Sequence, residues 1–240
     1  MATVWLATDL DGTISGAQGI APGTASMLTK ASQAGIWVIL ASGRRPEHVR
    51  QIGQQLHLHA PFIALDGALV EVPGQKVFRT CPMDAREVDA LCASAEDLGL
   101  KPHRIGEHGA DFKVVLTGPL EKLEKLFHMG ASAWPRLREV NRFARQAEWV
   151  RADCSKGRAL VDLSLCYGRP DRIIAFGNDW NDREMFEVAD LAYALPSAPA
   201  PLQALADQVL GPFKEEPVAQ VIASLLHSRA WGAELGSSEH

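Results

Sequence analysis

Residues 4–13 read Val-Trp-Leu-Ala-Thr-Asp-Leu-Asp-Gly-Thr, a short, mostly apolar run that stops at two aspartates and a glycine. The run includes a β-branched residue and ends in turn-forming residues, which predicts a buried strand. Asp9 and Asp11 then stand at the carboxyl end of that strand. Gly12 supplies the backbone freedom that lets both carboxylates face one pocket. By itself, however, such a segment most often forms only a turn or a helix cap.

The same pattern recurs along the chain. A helix is predicted over residues 22–34, with Pro22 in its first turn and Gly35 at its end. Further strands are predicted at 36–41, 62–65 and 173–176, and a further helix at 46–56. Strands that alternate with helices form a parallel sheet. We therefore predict an α/β fold with a Rossmann-like, doubly wound parallel sheet.

Polar residues follow each predicted strand. Parallel sheets bind ligands beyond the carboxyl ends of their strands. The residues that this rule brings to one edge are Asp9, Asp11, Ser42, Asp66, Asn178, Asp179 and Asp182.

The alternation of strands and helices is interrupted between residues 73 and 151, a segment that we call the insert. It mixes helix-like segments with strand-like ones, at 84–98, 119–129, 77–80 and 112–117. We predict that the insert is a second α/β domain, and that residues 1–72 and 152–240 form the core. Within 101–145, nine Lys or Arg stand against five Asp or Glu. This excess suits a basic face over an anionic substrate, although solvated surface charge is its commoner cause.

Composition narrows the class of protein. The chain has 240 residues, of which 47% are hydrophobic and 22% charged, and a net charge of -5. These values are typical of a soluble globular protein, and the lack of a basic excess argues against a nucleic-acid partner. No long apolar stretch indicates a membrane span, so we expect a cytoplasmic protein. Its four cysteines have no CxxC spacing, which predicts buried thiols. The oligomeric state stays open.

Phosphate ester chemistry has a candidate residue for each of its needs. A phosphate monoester repels anions, so a catalyst must supply a nucleophile, a proton for the leaving oxygen and positive charge around the phosphoryl group. Asp9 would attack phosphorus. Asp11 would protonate the leaving group and later activate water.

The segment from Asp9 to Ile14 resembles the first motif of the haloacid dehalogenase superfamily of phosphatases. Ser42 and Lys156 are similar to its second and third motifs, in which a hydroxyl holds a phosphoryl oxygen and a lysine neutralises charge. Ser42 is equally compatible with a helix N-cap, and both roles can hold at once. The resemblance implies contacts to phosphate or substrate from Gly12, Ser42, Gly43, Arg44, Lys156 and Asn181. Arg44 has an alternative role in pairing with a surface acid.

Residues 177–182, Gly-Asn-Asp-Trp-Asn-Asp, resemble the fourth, acidic motif, which implies a Mg²⁺ cofactor. Asn178 stands where the family usually has an aspartate, which should weaken metal affinity. The resemblance implies the metal ligands Asp9, Asp11, Asn178 and Asp182, with Asp179 in reserve.

Spacing points to a subgroup of the family. Only 31 positions separate Asp11 from Ser42, whereas 114 separate Ser42 from Lys156, so the insert fills the second gap. This order resembles the type IIB, Cof-like phosphatases with a C2B cap, which implies small phosphorylated metabolites as substrates, with sugar phosphates as the leading class. Asp66 stands where this group usually has asparagine, which puts any role of that side chain in doubt.

Two other functions remain open. A phosphotransferase of the phosphomannomutase type would return phosphate to a sugar hydroxyl, and product analysis separates it from a phosphatase. A phospho-accepting signalling domain also uses carboxylates, a hydroxyl and a lysine on a parallel sheet. The chain order argues against it, because such a domain carries its phospho-acceptor on a later strand.

Overall fold

The computed structural model describes residues 3–74, 78–107 and 109–227. Residues 228–240 of the predicted core, and Val77 of the strand predicted at 77–80, therefore lie outside the described residues.

The described residues form both strands and helices. The strands, in chain order, are β1 (Val4–Thr8), β2 (Ser15–Gly16), β3 (Gly19–Ile20), β4 (Trp37–Leu40), β5 (Phe62–Ala64), β6 (Leu69–Glu71), β7 (Arg79–Thr80), β8 (Lys101–Glu107), β9 (Ala110–Thr117), β10 (Leu137–Phe143), β11 (Gln146–Arg151), β12 (Arg172–Gly177), β13 (Leu191–Ala194) and β14 (Gln208–Val209). The α-helices are α1 (Pro22–Gln33), α2 (Pro46–Gln55), α3 (Ala85–Asp97), α4 (Leu120–Ala133), α5 (Lys156–Tyr167), α6 (Arg183–Val188), α7 (Ala200–Gln203) and α8 (Pro217–His227). Short 3-10 turns occur at Leu65–Gly67, Trp180–Asp182 and Phe213–Glu215.

A five-stranded parallel sheet forms the centre of the fold, in the order β14-β13-β12-β1-β4. Strand β1 lies between β12 and β4 and is buried along its whole length. Successive side chains of a strand point to opposite faces. Leu6 accordingly joins the hydrophobic cluster under α1 and α8, whereas Ala7 joins the cluster under α5 and α6. The predicted α/β fold with a doubly wound parallel sheet is confirmed.

Local sequence sets the ends of the helices. Pro22 and Pro46 open α1 and α2, where a missing backbone N–H costs nothing. Gly35 follows α1 with a φ of 88°, a left-handed conformation that favours glycine. Ser155 caps α5 by accepting the backbone N–H of Arg158 at 3.0 Å. This cap fixes the start of α5, and Lys156 is its first residue.

The insert contains a four-stranded antiparallel sheet in the order β10-β11-β9-β8. Helices α3 and α4 pack on one face of it around a separate hydrophobic cluster that includes Leu91, Leu126 and Trp149. The sequence predicted α3, α4 and β9 here. Strands β8, β10 and β11 were not predicted, because charged residues interrupt their alternation.

One strand prediction was right in part, and one cysteine prediction was wrong. The strand predicted at 62–65 forms over Phe62–Ala64, where a parallel Ala41–Ile63 bridge joins it to the residue after β4, but its strand partner is β6, in antiparallel pairing. Among the cysteines, Cys166 is exposed rather than buried.

Within the described ranges, no helix is both long and apolar enough to cross a bilayer.

Candidate active site

The register of the central sheet brings three polar segments to one edge. Thr8, the last residue of β1, pairs with Leu40 of β4 on one side and Phe176 of β12 on the other. The chain continues from these three residues into Asp9, Ala41 and Gly177. The backbone N–H of Asp9 donates to the carbonyl of Phe176 at 3.0 Å. The predicted meeting of polar residues at this edge is therefore observed for the segments that begin at Asp9, Ser42 and Asn178.

A buried lysine joins two carboxylates at this edge. Lys156 Nζ lies 2.6 Å from Asp9 Oδ1 and 2.7 Å from Asp182 Oδ1, and Lys156 is fully buried. Burial raises the pKa of Asp9 to about 7, against the lowering effect of Lys156, and the charge of Asp182 adds to the rise. Burial alone would lower the pKa of Lys156, but the charges of Asp182 and Asp9 hold it above its ordinary value. The lysine is thus a permanent cation beside the proposed nucleophile.

A tight turn follows Asp9. The N–H of Gly12 donates to Ser15 O at 2.8 Å, and Gly12 has a φ of 84°. A Cβ at this position would lie 2.3 Å from Asn178 Nδ2. Gly12 is therefore required both by the left-handed turn and by the close approach of Asn178. Since it packs against Asn178, its predicted contact with phosphate remains a prediction.

Asp11 points outward and pairs with Arg44. Arg44 Nη2 lies 2.6 Å from Asp11 Oδ1, and Arg44 Nε lies 2.8 Å from Oδ2, a two-point contact. The Asp11 side chain is 60% exposed and that of Arg44 is 35% exposed. Arg44 thus pairs with an exposed acid, which was the alternative role, and its predicted contact with phosphate or substrate stays a prediction. The pKa of Arg44 is raised chiefly by that hydrogen bond.

The acidic loop uses Asp182 as an internal anchor. Asp182 Oδ2 accepts the N–H groups of Asn178 at 2.9 Å and of Asp179 at 3.1 Å, while Oδ1 accepts from Lys156. Asp182 is fully buried, and a Cβ on Gly177 would lie 2.6 Å from its carboxylate. These contacts make Asp182 an anchor of the loop, and its predicted role as a metal ligand stays a prediction. Asp179 caps the next turn through the N–H of Trp180 at 2.7 Å.

Oxygen atoms of three residues converge at Asn178. One terminal atom of its amide lies 3.2 Å from Asp9 Oδ2, 3.0 Å from the carbonyl oxygen of Asp11 and 3.0 Å from Thr13 Oγ1. If that atom is the nitrogen, it donates to all three; if it is the oxygen, it faces two acceptors that a cation would satisfy. In the part of the chain that the structure describes, no three His, Cys, Asp or Glu side chains form a metal-binding group. The oxygen atoms that converge here belong to the Asp9 carboxylate, the Asp11 main chain and the Thr13 hydroxyl.

The loop after β4 carries Ser42 and Gly43. Ser42 is buried, and its Oγ accepts the N–H of Arg44 at 3.1 Å, as a turn or cap would require. A Cβ on Gly43 would lie 3.0 Å from Asp66 Oδ1. A side chain at Gly43 would therefore crowd Asp66.

Sequence reasoning missed Lys113 of the insert. Lys113 Nζ lies 2.8 Å from Asp66 Oδ2, 3.0 Å from the carbonyl of Gly43 and 2.5 Å from Glu148 Oε2. Asn181, predicted to contact phosphate, donates to the other oxygen of Asp66 at 2.9 Å. The available signal was a single lysine in the otherwise apolar segment 112–116.

Comparisons with known proteins agree with this architecture. The model of the haloacid dehalogenase-like hydrolase family matches residues 6–109 and 107–222. A phosphoglycolate phosphatase of Methanopyrus kandleri is 27% identical over 91% of this chain and 95% of its own length. The pyridoxal phosphate phosphatase YbhA of Escherichia coli is 24% identical over 94% of this chain and 100% of its own length. The resemblance drawn from the motifs is thus confirmed, and the chain is a phosphatase-type hydrolase.

Solved structures agree on the fold. A haloacid dehalogenase-like hydrolase from Bacteroides thetaiotaomicron has a TM-score of 0.83 and 17% identity, with 93% of this chain and 99% of the other covered. A sugar phosphatase of haloacid dehalogenase subclass IIB has a TM-score of 0.81 and 18% identity, with the same coverage of 93% and 99%.

Proposed function

The chain belongs to the haloacid dehalogenase-like hydrolase family, and on that premise we propose that it is a magnesium-dependent phosphatase for small phosphorylated metabolites that forms an aspartyl-phosphate on Asp9. The observation that supports this most directly is the buried contact of 2.6 Å between Asp9 and Lys156, at the edge where the parallel strands end. A buried carboxylate held against a permanent cation is suited to attack an anionic phosphoryl group, because the cation offsets the repulsion.

The first step transfers the phosphoryl group. An oxygen of Asp9 forms a bond to phosphorus while the ester bond breaks, and the leaving oxygen takes a proton from Asp11. Asp11 suits this role because it lies two residues after the nucleophile and is exposed at the mouth of the site, where a leaving group enters. Ser42, the Gly43 backbone and Asn181 are the proposed contacts of the phosphoryl oxygens, and Lys156 balances their charge.

The second step releases phosphate. A water molecule attacks the phosphorus of the aspartyl-phosphate and gives a proton to Asp11. The bond between phosphorus and the Asp9 oxygen breaks, which restores both carboxylates to their starting state. Arg44 holds Asp11 at two points and thereby orients the carboxylate that accepts the proton of the water.

The donor set fits Mg²⁺, a hard cation that prefers oxygen ligands. We propose that the carboxylate of Asp9, the main-chain carbonyl of Asp11 and the side-chain oxygen of Asn178 hold it, with Asp179 in reserve and Asp182 as the anchor of their loop. When bound, Mg²⁺ supplies positive charge that offsets the charge of the phosphoryl oxygens.

The insert is the proposed cap, with residues 1–72 and 152–240 as the catalytic core. Substrates of the two sequence relatives, phosphoglycolate and pyridoxal phosphate, are small phosphorylated metabolites. Sugar phosphates stay the leading class for this chain through its similarity to the IIB sugar phosphatase. The basic excess of the insert supports this only weakly, since Arg104, Arg136 and Arg142 pair with acids of the insert itself.

The decisive experiment measures phosphate release from p-nitrophenyl phosphate in Mg²⁺. We expect Asp9→Asn to abolish release, and Asp97→Asn, a change of the same chemistry at an exposed position on α3, to leave it unchanged. Turnover retained by Asp9→Asn would refute the mechanism.

A screen of sugar phosphates, phosphoglycolate and pyridoxal phosphate then identifies the substrate class. Isomerisation of a sugar phosphate without net phosphate release would show a phosphotransferase instead.

A further inference from the structure

Lys113 is a buried cation that the proposed reaction does not use. It lies on β9 of the insert, is 2% exposed, and reaches the core. Its ammonium group has three protons, and the three acceptors Asp66 Oδ2, Gly43 O and Glu148 Oε2 surround it at 2.5 to 3.0 Å. Two of these acceptors belong to the core and one to the insert. Lys113 therefore ties the insert sheet to the edge of the active site.

Asp66 carries this contact further into the site. Its Oδ2 faces Lys113, while its Oδ1 accepts from Asn181 Nδ2 at 2.9 Å. Its own N–H donates to the carbonyl of Ser42 at 3.1 Å. One side chain thus touches the insert and the acidic loop, and its backbone touches the loop after β4.

Only a carboxylate can make both side-chain contacts. An aspartate has two acceptor oxygens and no donor, so each oxygen can serve one of the facing donors. An asparagine has one oxygen, and its nitrogen would turn a donor toward either Lys113 or Asn181. The structure therefore explains the presence of Asp66 at this position by the lysine opposite it.

From this arrangement we propose that Lys113 and Asp66 are positioning residues, which hold Asn181 and the Ser42–Gly43 loop in place only when the insert sheet lies against the core. The proposal rests on the proposed function, in which those groups contact the phosphoryl oxygens. Assembly of the phosphate site is then coupled to the position of the insert, because its lysine is one of the contacts that build the site.

The charges support a firm connection. Burial would raise the pKa of Asp66, but Lys113 and then Lys156 bring it below its ordinary value. Burial would lower the pKa of Lys113, but Asp66 and Glu148 hold it above its ordinary value. Both groups are therefore charged in the folded protein. Removal of Lys113 leaves two carboxylates facing each other, whereas removal of the Asp66 charge leaves the pair of Lys113 and Glu148 intact.

The test compares Asp66→Asn, Lys113→Met and the double variant. We expect each single variant to lower kcat/KM for p-nitrophenyl phosphate by about 10- to 100-fold, the usual range for residues that orient active-site groups. The kcat/KM of the double variant should be no lower than that of the less active single variant, because both changes break the same connection. Hydrogen exchange of the peptide covering 177–183, measured without substrate, should become faster in each variant. Glu184→Gln is the matched control, since it breaks a different contact between insert and core, that of Glu184 with Arg138 at 3.2 Å.

Failure of this proposal is distinguishable from failure of the proposed function. If the wild type turns over and Asp66→Asn keeps kcat/KM within about twofold of it, the positioning role is wrong and the phosphatase stands. If the wild type releases no phosphate from any ester, the proposed function falls, and unchanged exchange of 177–183 in Asp66→Asn refutes the coupling as well. If Lys113→Met does not fold, Asp66→Asn decides alone, because it retains the Lys113–Glu148 pair. Equal losses in Glu184→Gln and Asp66→Asn would also overturn the proposal, because the effect would then belong to any contact with the insert.

Discussion

Replacement of Gly12 by alanine should raise the Mg²⁺ concentration that the enzyme requires. Gly12 has a φ of 84°, and a Cβ there would lie 2.3 Å from Asn178 Nδ2 and 3.1 Å from its Cγ. Carbon atoms pack at about 3.5 Å, so the Asn178 amide must move by about 1 Å. In addition, the left-handed backbone conformation at this position should lower the stability of the alanine variant by about 1–2 kcal/mol. A displaced ligand of this kind typically costs about 10- to 100-fold in metal affinity.

The assay is phosphate release from p-nitrophenyl phosphate as a function of Mg²⁺ concentration. Gly19→Ala is the matched control, because Gly19 has a φ of 86° and nothing lies within 4 Å of its Cβ. Both variants should lose stability through the left-handed backbone, Gly12→Ala more so because it also displaces Asn178, but only Gly12→Ala should shift the Mg²⁺ midpoint. Identical midpoints in the two variants would mean that Asn178 does not contribute to the metal site.

Three further outcomes are expected. Asn178→Asp should preserve activity and lower the Mg²⁺ midpoint in the same assay, and an unchanged midpoint would point to Asp179 as the ligand. Asp182→Asn should lower the free energy of unfolding in urea by about 1–3 kcal/mol, because its amide nitrogen would face the donors that its carboxylate now accepts; a stability equal to that of the wild type would show that the loop has another anchor. In EDTA, Asp9→Asn should gain thermal stability relative to the wild type as the pH rises from about 4 to about 7. The sign follows from the raised pKa of Asp9, about 7 in the fold against 3.8 ordinarily, since between these values the folded wild type holds a proton that the unfolded chain has lost, and its stability falls as the pH rises; a constant difference in melting temperature across this range would contradict it.

Strands β1, β4 and β12 of the central sheet were predictable because their signals are local, whereas β13 and the short, exposed β14 were not predicted. Each of the three predicted strands is a short apolar run, and the polar residues that end those runs must lie at one edge when the strands are parallel. Asp9, Ser42 and Asn178 reached that edge for this reason. Their catalytic and binding roles stay proposals that the variants above test.

The acidic loop shows the limit of a motif. The motif at residues 177–182 predicted a loop that carries carboxylates, but it does not say which carboxylate holds the loop together. Asp182 lies three and four residues after the two N–H groups that its Oδ2 accepts, so its side chain anchors the loop from within. Its other oxygen is taken by Lys156, a contact 26 residues away in the chain. Such partners become visible only when the loop and α5 are packed together.

The contact between Lys113 and Asp66 spans 47 residues and joins the insert to the core. A lysine inside an apolar strand signals a buried partner, since a buried charge without one is costly. The sequence does not say which acid that is, because the answer depends on how the insert sheet packs on the core. The structure shows that the residues at positions 66 and 113 constrain each other. A relative with asparagine at the position of Asp66 has one acceptor for the Asn181 amide and none to spare for a lysine, so the residue opposite should lack a proton to donate. Asp66→Asn combined with Lys113→Met places that neutral pair in this chain, and recovery of activity relative to Lys113→Met alone would show that the two positions form one unit.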